Sequence, residues 1–167
     1  MPAEPRSSRP HMPGYGILDA ASGQGLLPWS WAAERLSKGH TYWIATTRPD
    51  GAPHAMAVWG VWLEDRFCFS TGRRSRKARN LVANPKCVVC TEQALEAVIV
   101  EGVAELLTDP SLLRRFVEAY KAKYQWDVDT NGTESPIYAV RPRVVFGFIE
   151  HSNQFTGTAT RWVFEDE

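Results

Sequence analysis

FCFSTGRRSRKARNLVANP, residues 67–85, reads as a short strand from Phe67 to Ser70, a turn at Thr71 and Gly72, and then a helix of about two and a half turns. Five cations lie in the turn and helix: Arg73, Arg74, Arg76, Lys77 and Arg79. With Ser75 as the N-cap, Arg76 and Lys77 fall in the first helical turn, where each opposes the macrodipole by roughly 0.3–1 kcal/mol. A bound anion that also takes up the free amides reverses that penalty. A basic stretch of this kind has three readings: a solvated helix face, a site for a small-molecule phosphate, or a patch for nucleic acid. The hydroxyls of Ser70, Thr71 and Ser75, gathered at the same strand-turn-helix junction, favour the phosphate site.

Composition narrows the choice. The chain has 167 residues and a formal net charge of zero, which suits one domain with a core of its own and argues against general nucleic-acid binding. Seven Trp, seven Phe and five Tyr suit sheet surfaces, interfaces and flat ligands. No apolar run approaches membrane-spanning length and no secretory signal opens the chain, so the expected location is the cytoplasm. Three cysteines do not suggest a disulfide framework. Cys87 and Cys90 have metal-knuckle spacing, but on a strand they face opposite sides and no further cluster completes a site; no metal is expected.

Upstream of the basic helix, the segment from Pro53 to Leu63 reads as one long strand. One face carries His54, Met56, Val58, Gly60 and Trp62, the other Ala55, Ala57, Trp59, Val61 and Leu63. Neither face is polar, so both must be covered: one by a barrel interior, the other by a partner subunit or a flat ligand. Arg48-Pro49-Asp50-Gly51 joins it by a tight turn to a strand at residues 41–47, and Glu64-Asp65 turns it into the strand before the basic helix. Leu27 to Lys38 reads as a helix ended by Gly39 and expected to plug one end of the barrel. Residues 1–25, rich in Pro, Gly, Ser and Arg, are expected to be a flexible arm before a single domain at 26–167.

Downstream, residues 87–91 and 97–107 read as strands, and Asp109-Pro110 starts an amphipathic helix to Tyr124 with Leu112, Leu113, Phe116, Tyr120 and Tyr124 on its core side. Glu101 and Glu105 are expected on exposed edges or paired with the basic cluster. The last strands fall at 138–140, 144–150 and 158–164, with polar groups at His151 to Phe155 in a loop able to reach a ligand. The sum is a mainly β domain, a small antiparallel barrel of six to eight strands with three helices inserted.

Several motifs are missing. There is no GxGxxG after a strand, no GxxxxGK[ST] and no GxSxG elbow, and the four histidines are scattered. Hydrolysis by a nucleophile and base is poorly supported. His54 is either a hydrogen-bonded structural histidine or a ligand contact.

YWIATTRPDGAPHAMAVWGVW, FCFSTGRRSRKARNLVANPKCVV and VIVEGVAELL together resemble the split β-barrel flavin and deazaflavin oxidoreductases, a superfamily that includes pyridoxamine 5′-phosphate oxidase. The resemblance covers roughly residues 30 to 165, and its first strands are closest to the actinobacterial branch that uses the deazaflavin F420. It implies a homodimer with cofactor sites at the subunit interface. Ser70 and Thr71 resemble the family's pair at the end of the phosphate strand, and Arg76 and Lys77 its phosphate-binding Arg-Lys, with Arg74 and Ser75 beside them. The segment Met56, Ala57, Val58, Trp59 and Gly60 corresponds to the strand bordering the flavin ring. Two departures count against pyridoxamine phosphate oxidation: Ala97 stands where the oxidases have a flavin-contacting Gln, and the oxidases' C-terminal Arg and His are absent.

The resemblance thus implies an F420-dependent oxidoreductase that passes hydride to a small organic acceptor such as an activated C=C bond. The alternatives are an FMN enzyme of the same fold, a non-catalytic flavin, F420 or haem carrier, and a structural dimer whose basic helix is simply exposed. Tyr42 and His54, besides solvent, are the proton donors to consider.

Overall fold

The computed structural model describes residues 4–131, 133–151 and 153–165. In these, nine strands form one antiparallel sheet with four helices around it. The order is β1 (Arg6–Ser8), α1 (Trp29–Lys38), β2 (Tyr42–Thr47), β3 (Pro53–Val58), β4 (Val61–Leu63), β5 (Arg66–Ser70) and α2 (Arg76–Ala83), followed by β6 (Lys86–Thr91), β7 (Glu96–Leu106), α3 (Pro110–Tyr124), β8 (Ile137–Ile149), α4 (Phe155–Thr158) and β9 (Thr160–Val163). The sheet runs β1-β9-β8-β7-β6-β2-β3, and β5, itself paired with β4, joins a second length of β8. It curls without closing: a split barrel of mainly β structure.

Local chemistry accounts for several of these boundaries. The β2–β3 hairpin is closed by Gly51 N–H donating to Arg48 O (2.9 Å), with Gly51 at φ +86° and the Asp50 carboxylate accepting from Ala52 N–H. Ser75 caps α2 by accepting from Ala78 N–H (3.2 Å), and Asp109 caps α3 by accepting from Leu112 N–H (2.8 Å) with Pro110 at the first helical position. α1 packs on β4 and β7 and buries Ala32 and Leu36 completely against the inner face.

The split is made on β8. This 13-residue strand pairs with β7 along its length, with β5 over Ile137–Val140, and with β9 over Val144–Gly147. Pro142, which has no N–H to donate, falls between the two partners. Opposite it the β7 register shifts between Glu101 and Gly102, where a Cβ would stand 2.5 Å from the Arg141 carbonyl. The two strands expected at 138–140 and 144–150 are therefore one, because the proline sits at a bulge and does not end the strand.

The long strand expected from Pro53 to Leu63 is, by contrast, two. β3 pairs with β2 as far as Val58, and β4 pairs with β5 from Val61. Trp59 and Gly60 carry the chain from one half of the barrel to the other, so the side-chain alternation does not run through them. Ala55, Met56 and Ala57 are exposed on edge strand β3. By register Ala55 and Ala57 share an outer face with Trp43, Ala45, Val88 and Cys90, and Trp43 is 51% exposed. Cys87 lies on the other, buried side of β6.

A further expectation changes. Residues 6–8, assigned to a flexible arm, pair with β9, and Arg9 braces the segment by donating to the carbonyls of Ser22 (2.9 Å), Gly157 (3.0 Å) and Ala159 (2.9 Å). Nothing in a Pro- and Arg-rich composition signals such long-range backbone bonds. Glu101 and Glu105 are both exposed, as expected, and Glu105 pairs with Arg141 across β7 and β8 and not with the basic helix.

Gly60 is the tightest point in the crossing: a Cβ there would lie 2.2 Å from Phe67 Cζ and 2.9 Å from the Cys68 carbonyl. Gly60→Ala is expected to cost about 1–3 kcal/mol in urea unfolding, the range for overpacking. With Phe67→Leu added, the loss is expected to be smaller than the sum of the two single losses.

Candidate functional site

β3, the end of β5, the start of α2 and the end of α3 enclose a crevice of about 330 Å³ lined by Thr41, Ala57, Val58, Trp59, Ser70, Lys77 and Tyr120. Five of these were expected at a site from the sequence; Thr41 and Tyr120 were not. Gly60 is buried behind the crevice, Met56 is exposed on β3, and Arg74 is exposed before α2. A larger hollow of about 510 Å³ lies under residues 7–26 and is lined by none of the expected residues.

The α2 end is cationic. Lys77 is half-buried, and desolvation lowers its pKa. No carboxylate pairs with Arg74, Arg76, Lys77 or Arg79 among the described residues, whereas Arg73 lies 3.6 Å from Glu134. Thr71 Oγ1 and Ser75 Oγ are 3.2 Å apart at the helix start, and Ser70 Oγ lies 3.3 Å from the Ser135 carbonyl. Asn80, fully buried, ties α2 to β2 by donating to Thr46 Oγ1 (3.0 Å). His54, opposite Thr46, has a lowered pKa, first through desolvation and then through Arg48, Lys77 and Arg76; its Nδ1 has no hydrogen-bond partner among the described residues. The electrostatics of this end therefore favour an anion.

The α3 end is aromatic. Trp59, 40% exposed, stacks on Tyr124 at 4.6 Å and 2°, with Tyr120 tilted 6.5 Å away and the His40 ring edge-on at 6.0 Å. The Tyr124 hydroxyl donates to the His40 carbonyl (2.6 Å) and accepts from Gly60 N–H (2.9 Å). Lys123 Nζ donates to the Gly60 carbonyl (2.8 Å) and to Tyr42 Oη (2.9 Å), over the Tyr42 ring at 4.8 Å. Burial lowers the Lys123 pKa to about 8 and, as the largest cause, raises that of Tyr124 to about 12. Tyr42 is fully buried, its hydroxyl donating to the Leu36 carbonyl (2.6 Å) and its pKa raised by desolvation. It is part of the core and does not line the crevice.

His151 to Phe155 is not brought to the crevice within one chain. The loop follows the Ile149 end of β8, whereas Ser70 pairs with Ile137 at the other end. Of its residues, Phe155 stacks on Phe148, and Ser152 lies outside the described residues.

Residues 32–146 match the family described as pyridoxamine 5′-phosphate oxidase. The chain belongs to that family. Among solved structures it is similar to an F420 reductase (24% identity, TM-score 0.54, covering 67% of this chain and 93% of that one). It is also similar to a conserved hypothetical protein from Mycobacterium tuberculosis (22%, TM-score 0.65, 75% and 86%). A third is a heme binding protein from Mycobacterium smegmatis (18%, TM-score 0.62, 76% and 57%). At these identities the likeness is one of fold. A search of curated proteins finds no significant match. In this member of the pyridoxamine 5′-phosphate oxidase family, Ala97 lies on β7 opposite Phe148. The matched segment contains the crossing, α2 and the aromatic end of α3.

Thr41, Tyr120, Tyr124 and Lys123 left little signal in the sequence. Tyr120 and Tyr124 fit the helical spacing of the α3 core face, and only the crossing at Trp59 and Gly60 makes Tyr120 a wall of the crevice and sets Tyr124 against Trp59. Lys123 yields a test with a defined sign. Because its folded pKa lies below the ordinary value of 10.5, deprotonation favours the folded state, so stability is gained as pH rises from about 8. Tyr42, Tyr124 and Glu92 also act on or near this ammonium, so the comparison is made below tyrosine ionisation. Between about pH 8 and 9.5, wild-type stability in urea is expected to rise relative to Lys123→Met; parallel profiles would count against a buried, titrating ammonium.

Proposed function

We propose that the chain is an oxidoreductase that binds F420 along β3 and reduces a small organic acceptor, such as an activated C=C bond. The observation that carries the reading is the group of cations at the start of α2, Arg74, Arg76, Lys77 and Arg79, which have no carboxylate partner among the described residues and share one strand-turn-helix segment with the hydroxyls of Ser70, Thr71 and Ser75. The donor set fits a phosphodiester. Lys77 and Ser70 reach the crevice, and the cations beyond them suit a tail more anionic than that of FMN. Bound there, the reduced deazaflavin supplies the hydride, while the protein supplies binding and orientation. In this reading Met56 to Gly60 border the ring, Arg76 and Lys77 hold the phosphate, and His54, whose pKa desolvation and its cationic neighbours lower, is a ring contact. Tyr42 is no longer a proton donor in it. Pyridoxamine phosphate oxidation is not proposed.

The apolar outer face on β3, β2 and β6 is assigned to a second copy of this chain, consistent with Trp43 standing half exposed among Ala55, Ala57 and Cys90. Sedimentation at micromolar concentration is expected to give a dimer that Trp43→Glu converts to monomer; an unchanged dimer would remove this face from the interface.

Fluorescence-monitored binding of oxidised F420 and of FMN, with Lys77→Ala alongside, tests the cofactor. The expected result is micromolar F420 binding, much weaker FMN binding, and more than tenfold loss of F420 affinity in the variant. A preference for FMN would move the chain to the flavin reading. Binding without turnover of enones or quinones would make it a carrier, and binding of neither cofactor would leave the basic helix as surface.

A further inference from the structure

Where α2 meets the β2–β3 hairpin, two enclosed polar atoms have no hydrogen-bond partner among the described residues: His54 Nδ1 and Asn80 Oδ1. Asn80 is fully buried, and its amide nitrogen donates to Thr46 Oγ1 (3.0 Å). Thr46 stands opposite His54 in the β2–β3 register, and directly opposed side chains share a face of the sheet. Thr46 is therefore the common neighbour of both side chains. A buried amide oxygen without a donor is costly. The imidazolium form of His54 supplies one, because both of its ring nitrogens then donate.

The charged groups that face His54 are all cationic. Arg48 comes from the hairpin turn, and Lys77 and Arg76 from the first turn of α2; after desolvation, each disfavours the imidazolium. β2 carries no charged side chain, β3 carries no titratable group besides His54, and the Asp50 carboxylate in the turn accepts from Ala52 N–H. Arg76 and Lys77 lie one helical turn before Asn80, so the cations and the amide are neighbours on the surface of α2. An anion that neutralises Arg76 and Lys77 removes repulsion from the His54 ring, and Asn80 Oδ1 is the acceptor that the added proton lacks elsewhere.

We propose that anion binding at the start of α2 is coupled to proton uptake at His54: the anion offsets Arg76 and Lys77, the ring takes a proton from solvent, and Nδ1–H is held by Asn80 Oδ1. Asn80 is a positioning residue, and Nε2 is left free for the ring contact. The coupling gives β3 a cationic imidazole once the anion site is filled. It rests on the anion reading of α2, and its test does not need the cofactor.

The probe is sulfate, which does not titrate near neutrality, added to the full-length protein against chloride at equal ionic strength. The histidine ring signals are followed by NMR across the pH range, the His54 signal being identified by its loss in His54→Gln. Sulfate is expected to raise the His54 midpoint by about 0.5–1 pH unit and to leave those of His11, His40 and His151 in place. By reciprocity, sulfate is expected to bind about three- to tenfold more tightly on the acid side of that titration than on the alkaline side, a dependence that His54→Gln abolishes. Lys77→Ala is expected to bind sulfate more weakly and to raise the His54 midpoint before any sulfate is added. Asn80→Leu is expected to lower the midpoint in saturating sulfate by about 0.5 pH unit or more. Thr46→Val, which frees the Asn80 amide at nearly constant shape, is expected to lower it too and serves if Asn80→Leu does not fold. A His54 midpoint that stays in place while sulfate binds through Lys77 would overturn the proposal and leave the anion site standing. A midpoint that neither Asn80→Leu nor Thr46→Val moves would overturn the role of Asn80. Sulfate that binds on neither side of the titration would remove the anion reading of α2 as well.

Discussion

The structure depends on one crossing of the backbone. At Trp59 and Gly60 the chain stops pairing with β2 and begins pairing with β5, and for that step the peptide groups of Gly60 have no strand beside them. Buried amides left in that state would be costly. The end of α3 provides the partners: Tyr124 Oη for the N–H and Lys123 Nζ for the carbonyl. Closeness is the second requirement, since Gly60 lies against the Phe67 ring and leaves no room for a side chain. The two halves of the split barrel are joined here, on one side by close packing and on the other by a helix terminus.

The same crossing positions the crevice. Ending β3 at Val58 leaves Trp59 outside the ladder and in reach of Tyr124, while the rest of β3 runs back toward α2. Asn80 holds α2 to β2 through Thr46, opposite His54, so the cationic helix end is fixed relative to the strand. The cationic start of α2 and the aromatic end of α3 thus meet across one crevice, through Lys77 on one side and Tyr120 on the other. Lys123 is the exception to the usual treatment of charge in such a core: among the described residues its ammonium hydrogen-bonds only neutral oxygens and lies over the Tyr42 ring, and burial lowers its pKa.

How far these features were legible depends on whether the signal is local. The β2–β3 turn, the Ser75 and Asp109 caps and the basic start of α2 each rest on a few consecutive residues, and the structure has them where the sequence places them. The break in the Pro53–Leu63 strand does not, because the residues before and after Gly60 are equally apolar and the change of partner is a property of β2 and β5. The two strands expected at 138–140 and 144–150 are one for a reason that is equally non-local: Pro142 between them is accommodated by the register shift opposite Gly102. β1 was hidden because edge pairing with β9 uses backbone groups that any sequence carries. Tyr120 was visible as a core residue, and its place in the crevice wall was not.

Two local rules are broken in this chain, and they are broken on either side of β3. Cations gather at the helix end that repels them, and apolar side chains line a sheet face that water reaches. Elsewhere the chain obeys the same rules: Arg35 and Lys38 fall in the last turn of α1, Lys121 and Lys123 in that of α3, and the inner faces of β6, β7 and β8 are closed. A sequence this consistent elsewhere does not carry both violations as noise. In the proposed reading each is relieved by something outside the single chain, an anion for α2 and a second copy for the outer face. Because β3 borders both, anything that seats one partner fixes the strand against which the other is read.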